Sequence, residues 1–247
     1  MNLIICKTFE EMSEKAADII ARQLIEKSDS HIGVTTGATP VLAYKNLCEK
    51  YQDGLISFAK AHLYNLEELT GLSKEHPESC WQYLHHHLTD HVDLPEENLH
   101  MPDGTETDYE KECGKYDELL DSVPEGRLDL FFMGLGGNGH IGCNEPEEEL
   151  VLNTHIAYLA DSTRQAAVRE FGDISLVPEA ATAMGLKPLF YAKHVLMVVN
   201  GRGKAEALKK MFSGKITTMC PASLLQLHPN VTVVVDEEAA CLLKEGK

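Results

Sequence analysis

Six apolar runs, at 3–6, 32–35, 63–66, 128–133, 195–199 and 231–235, are continuous rather than alternating, and each has the length of a strand. Between them lie longer stretches with apolar residues at helical spacing, at 9–25, 41–51, 109–120 and 204–212. Strands without a polar face need cover on both sides, so the pattern predicts an α/β fold with a mostly parallel sheet and helices on both faces. No linker, repeat or low-complexity run divides the chain, and we read a single domain spanning 1–247. In such sheets ligands bind beyond the carboxyl ends of the strands, which makes the loops after the apolar runs the places to search.

Composition narrows the partners. The formal net charge of −17 opposes nucleic acid and anionic membrane surfaces, while a small anionic substrate in a locally basic pocket stays compatible with it. The first residues form a short apolar run followed by charges, without a small-residue cleavage pattern or a long apolar span, which predicts a cytoplasmic protein. Seven scattered cysteines without a C-x-x-C pair predict a reduced compartment and no zinc knuckle. Cys143 reads as a buried small residue rather than a nucleophile. His85, His86, His87 and His91 contain an i, i+4 pair, but no further ligand cluster adjoins them, and we read a helix face with no metal.

Four strand-end loops carry candidate chemistry. At Thr36, Gly37, Ala38 and Thr39 a strand breaks before Pro40, where free backbone N–H groups and a helix N-terminus suit an anion as well as an ordinary turn. Glu67 and Glu68 directly follow another strand, where a carboxylate can serve as a base or simply be solvated. The third loop holds Gly134, Gly136 and Gly139 at dinucleotide-fingerprint spacing, yet Pro146 interrupts any following helix and the run 155–159 ends without an acidic residue. That disfavours a dinucleotide and leaves His140 and Glu145 as a tunable acid–base pair. In the fourth, Lys204 starts the helix 204–212, where a cation opposes the dipole unless an anion compensates it; Arg169 offers a further anion contact or a surface helix arginine.

Together, Thr36-Gly37-Ala38-Thr39-Pro40, Gly136-x-Asn138-Gly139-His140, Asn144-Glu145-Pro146 and the Leu-His-Pro-Asn of 227–230 resemble the glucosamine/galactosamine-6-phosphate isomerase (deaminase) family over nearly the whole chain. The same superfamily holds 6-phosphogluconolactonases, whose Gly-His loop usually continues Ala-Ser-Leu-Phe rather than Asn-Glu-Pro. The resemblance implies a modified Rossmann-type sheet, a 6-phosphate held by residues 36–39 with Arg169 and Lys204, and catalysis by Glu67, Asn138, His140 and Glu145. It implies conversion of a hexosamine 6-phosphate to a ketose 6-phosphate and ammonia, with galactosamine 6-phosphate favoured over glucosamine 6-phosphate. A lactonase and a non-catalytic sugar-phosphate binder are the alternatives.

The required steps are proton transfers, so the expectation includes no metal or organic cofactor. A homo-oligomer is compatible with the family. Glu148 and Glu149 stand where hexameric deaminases of the family place serines near an allosteric phosphate, and His155 and Ala157 replace a basic pair, which predicts no phosphate-driven activation. Two departures affect the site itself: glucosamine-6-phosphate deaminases typically have Asp at the positions of Glu67 and Asn138, where Asn138 looks more like the galactosamine-6-phosphate branch and Glu67 fits neither.

Overall fold

The computed structural model describes residues 1–243, and the last four residues of the domain predicted over 1–247 lie outside them. The chain runs β1 (Asn2–Cys6), α1 (Phe9–Glu26), β2 (His31–Val34), α2 (Val41–Gln52), β3 (His62–Asn65), β4 (Glu67–Leu69), α3 (Cys80–His87), β5 (Leu99–His100) and α4 (Tyr109–Asp121). It continues with β6 (Leu130–Gly134), β7 (His155–Tyr158), α5 (Asp161–Phe171), β8 (Ala180–Ala183), α6 (Leu186–Tyr191), β9 (Val195–Val199), α7 (Ala205–Met211) and β10 (Val231–Asp236). Seven strands form one parallel sheet in the order β1-β10-β9-β6-β2-β3-β5, and β4-β8-β7 form a small antiparallel sheet.

The expected α/β architecture follows from burial on two faces. Along β9 and β10 every residue is buried, and the alternate side chains enter different apolar clusters: Val195, Met197 and Val199 one, Leu196 and Val198 the other. Helix α1 shows the matching amphipathic stripe, burying Met12, Ala16, Ala17, Ile20, Ala21 and Leu24. Its start is fixed by Thr8, whose hydroxyl accepts the Glu11 N–H. The helix expected from Lys204 begins instead at Ala205, because residues 202–204 form a tight 3₁₀ turn.

From β2 the chain builds outward through β3 to β5, then returns to place β6 on the other side of β2. That reversal opens a crevice at the carboxyl edge between β2 and β6, the position where doubly wound sheets bind ligands. The adjacent strands β9, β6, β2 and β3 thus deliver four loops to one edge.

His31 and His62, which open β2 and β3, stack their rings with His100 of β5, with centroids 4.7 and 5.4 Å apart and planes within 4°. His62 Nδ1 lies 3.1 Å from His100 Nε2, and His31 Nδ1 lies 2.8 Å from the Tyr64 hydroxyl. Burial, with the neighbouring imidazoles, lowers the His31 pKa and takes that of His100 to about 4. Groups that fold neutral and unfold with a higher pKa lend stability above the unfolded value near 6.5, and it is lost as pH falls toward 4. We expect the thermal midpoint to drop between pH 7 and 5, and His100→Phe, which keeps a ring without a titrating group, to reduce that drop by at least about 2 °C in scanning calorimetry.

Candidate active site

Glu67 owes its position to a change of sheet. Strand β3 ends at Asn65, the Leu66 N–H still bonds the Val34 carbonyl, and the Leu66 carbonyl accepts from Met184 beyond β8, so Glu67 opens the small sheet. Its side chain is buried. Oε1 accepts a 3.1 Å hydrogen bond from the Thr36 hydroxyl, and Oε2 has no partner among the described residues. Burial raises its pKa to about 7 against the opposing pull of Thr36 and His140.

Glu68, one residue on, points elsewhere, as the pleat requires. Its carboxylate accepts N–H groups of Cys80 and Trp81 at the start of α3 and of Leu69, so it caps a helix. The two carboxylates that spacing alone left interchangeable are therefore separated by what they touch.

The loop after β6 brings the second acid–base group. Within it no helix forms, and the backbone closes on itself through Gly136 N–H to the His140 carbonyl and Gly139 N–H to the Gly136 carbonyl. A Cβ on Gly136 would stand 2.4 Å from the His140 ring, so this glycine makes room for an imidazole rather than a pyrophosphate. His140 Nδ1 sits 3.3 Å from Glu145 Oε2, leaving Nε2 without a protein partner among the described residues. Asn138 donates to Glu145 at 2.7 Å and accepts the His140 N–H at 3.1 Å, which makes its amide the brace of the pair.

Glu145 also accepts the Thr163 hydroxyl at 2.5 Å from the first turn of α5. Burial would raise its pKa, but the contacts from His140, Thr163 and Asn138 prevail and bring it down to about 2. Beside Glu67, burial keeps the Cys143 thiol protonated, in line with its reading as a non-nucleophile.

Residues 36–39 are the loop expected to hold an anion. Gly37 adopts φ +99°, and the N–H groups of Gly37, Ala38 and Thr39 have no protein partner among the described residues. The hydroxyls do not join them: Thr36 serves Glu67, and Thr39 donates at 2.7 Å to Asn200 after β9. Lys204, in that same β9 loop, is half-buried without an acidic partner among the described residues, and desolvation lowers its pKa.

Arg169 stands apart, exposed in the last turn of α5 and ion-paired with Glu170, with no hydrogen bond or ion pair to Lys204 or residues 36–39. The grouping of six phosphate-binding residues is thus drawn together only in part. His228 and Asn230 of the Leu-His-Pro-Asn motif are structural, bonding the carbonyls of Ala192 and Lys193 below β9. His85 pairs with Asp90 and His91 with the His86 carbonyl. Sequence reading missed Thr163 and Asn200, whose signals were a Ser-Thr pair opening α5 and an Asn closing β9.

A doubly wound sheet whose switch point gathers free backbone N–H groups, a lysine without an acidic partner among the described residues and a histidine–carboxylate pair is an arrangement that suits a small anionic substrate. The chain belongs to the family described as glucosamine-6-phosphate isomerases/6-phosphogluconolactonase, whose model matches residues 7–234. It is 41% identical to the glucosamine-6-phosphate deaminase of Thermoanaerobacter pseudethanolicus over 245 residues, 99% of this chain and 96% of that protein. The Clostridium perfringens (strain 13 / Type A) glucosamine-6-phosphate deaminase is 42% identical over 99% of this chain and all of its own. A solved monomeric glucosamine-6-phosphate deaminase superposes with a TM-score of 0.95 at 39% identity, covering 98% of this chain and 100% of that one. A 6-phosphogluconolactonase from Trypanosoma cruzi, at TM-score 0.79 and 16% identity over 98% of this chain and 96% of that one, shares the fold. Among these relatives the gluco option of the sequence reading is matched, and the preference for galactosamine 6-phosphate gains nothing.

Replacing each neighbouring carboxylate separates their roles. Glu68→Gln removes a charged cap and is expected to lower unfolding free energy by about 1–2 kcal/mol in urea titrations. Glu67→Gln removes a buried group that resists ionisation and is expected to leave stability equal or higher. Equal losses in both variants would contradict the division.

Proposed function

We propose that the chain converts glucosamine 6-phosphate and water to fructose 6-phosphate and ammonia. The observation that carries this reading is the pairing of Glu67, buried with a free oxygen and a pKa raised to about 7, with a His140–Glu145 pair whose carboxylate is held ionised. Isomerisation needs one group that takes a proton from carbon and gives it back, and a second that handles protons on oxygen. Anchoring of the phosphate falls to the N–H groups of residues 37–39 and to Lys204.

In this mechanism His140 Nε2 relays a proton between the C1 hydroxyl and the ring oxygen, opening the ring to the aldehyde. Glu145 holds Nδ1 and stabilises the imidazolium. Glu67 then removes the C2 proton, leaving a C1–C2 enolamine, and returns that proton to C1. The product carries an iminium at C2, to which water adds before ammonia departs and the ketone forms. Asn138 contributes by bracing Glu145 and His140 rather than by transferring protons, as an amide cannot act as the base an Asp would be. Glu147 and Glu149, with His155, line a cavity of about 120 Å³ behind this loop, and the two carboxylates lead us to place no activating phosphate there.

Ammonia release and C2-hydrogen exchange in deuterated water test the reading, with galactosamine 6-phosphate as the C4 epimer control. Glucosamine 6-phosphate is expected to be turned over, and Glu67→Gln to lower kcat by about 10²–10⁴-fold with little change in KM. Binding without exchange in the parent protein would overturn the assignment, and faster turnover of galactosamine 6-phosphate would overturn the choice of epimer.

A further inference from the structure

We infer that Thr36 is a positioning residue for Glu67, setting both the place and the protonation of the base, rather than a ligand of the substrate phosphate. The inference rests on the deaminase reading and deepens it. Its ground is geometric: Thr36 Oγ1 donates to Glu67 Oε1 at 3.1 Å, while the N–H groups of the next three residues point to no protein acceptor. A hydroxyl has one hydrogen to donate, and here it is committed to the carboxylate. It leaves the phosphate to the backbone and Lys204. A glutamate has one methylene more than the family's usual aspartate, and its carboxylate is met by the Thr36 hydroxyl across the strand ends of β2 and β3.

The opposite oxygen of Glu67 is buried and has no hydrogen-bond partner among the described residues, so the Thr36 hydroxyl is the side-chain donor that holds this carboxylate in place. The charged neighbours are few. His140 from the β6 loop favours the ionised form and Glu68 opposes it. The Cys80, Cys143, Tyr44, Tyr83 and Tyr116 groups around it all have raised pKa values and stay neutral where Glu67 titrates. Thr36 is thus the neutral donor that stabilises the carboxylate against burial. Removing that hydroxyl raises the Glu67 pKa, since a hydrogen bond to the charged form is lost.

The test compares Thr36→Val, nearly the same shape without a donor, with Thr36→Ser, which keeps the donor. Two readouts are made: kcat and KM against pH with glucosamine 6-phosphate, and the titration of the Glu67 carboxyl in the substrate-free protein by ¹³C-glutamate NMR, assigned by its loss in Glu67→Gln. Thr36→Val is expected to lower kcat about tenfold, to change KM less than about twofold, and to move the Glu67 titration and the acid limb of kcat up by about one pH unit. Thr36→Ser restores both. An unshifted titration in Thr36→Val overturns the inference, as does a KM raised tenfold with kcat kept, the signature of a phosphate ligand. The NMR arm reads the inference even if the parent releases no ammonia, an outcome that would sink the deaminase reading alone.

Discussion

A carboxylate buried where the chain leaves one sheet for another is the constraint on which the site depends. The backbone of Leu66 is shared between β2 of the large sheet and the end of β8 beside the small one, so the residue after it has little freedom in where it points. Glu67 is therefore held in the crevice with one oxygen bonded and one free. Burial works against its charge, and the resulting pKa near 7 suits a group that must both take and return a proton near neutral pH.

The β6 loop supplies the counterpart by the opposite means. Glu145 is buried too, yet it collects donors from Asn138, Thr163 and His140, and its pKa falls to about 2. In the proposed mechanism two carboxylates pushed apart in this way take different roles: one exchanges protons, the other fixes an imidazole. The fold puts them on the two loops that flank the end of β2, because the strand order reverses between β2 and β6.

The parallel sheet was legible because its strands are apolar on both faces, so all six apolar runs fall on strands of the large sheet. The small sheet was harder to see. Strand β4 reads Glu-Glu-Leu and β8 reads Ala-Ala-Thr-Ala, neither with a strong strand signature, and both exist through pairing with each other. Strand β5 is two residues long, too short for any period. Glu67 and Glu68 could not be told apart in sequence, because the pleat and the start of α3 decide which one enters the crevice. For Thr36, motif position suggested an anion ligand, and the contact to Glu67 that redirects it depends on a pairing between β2 and β3 that spacing does not encode. His140 and Glu145 were legible as a pair because they stand five positions apart in one glycine-rich loop, whose turn an Ile141–Asn144 bridge closes.

The central claim is that Glu67 acts as the base from a site that holds its pKa near neutrality. The pH dependence of C2-hydrogen exchange, measured as kcat/KM with glucosamine 6-phosphate and corrected for the titration of the free substrate, reads this directly. Because the base must be ionised, the account predicts an acid limb with an apparent pKa near 7, below which exchange falls tenfold per pH unit. A rate that stays level down to pH 5, or a limb near the ordinary glutamate value of about 4.3, would contradict it.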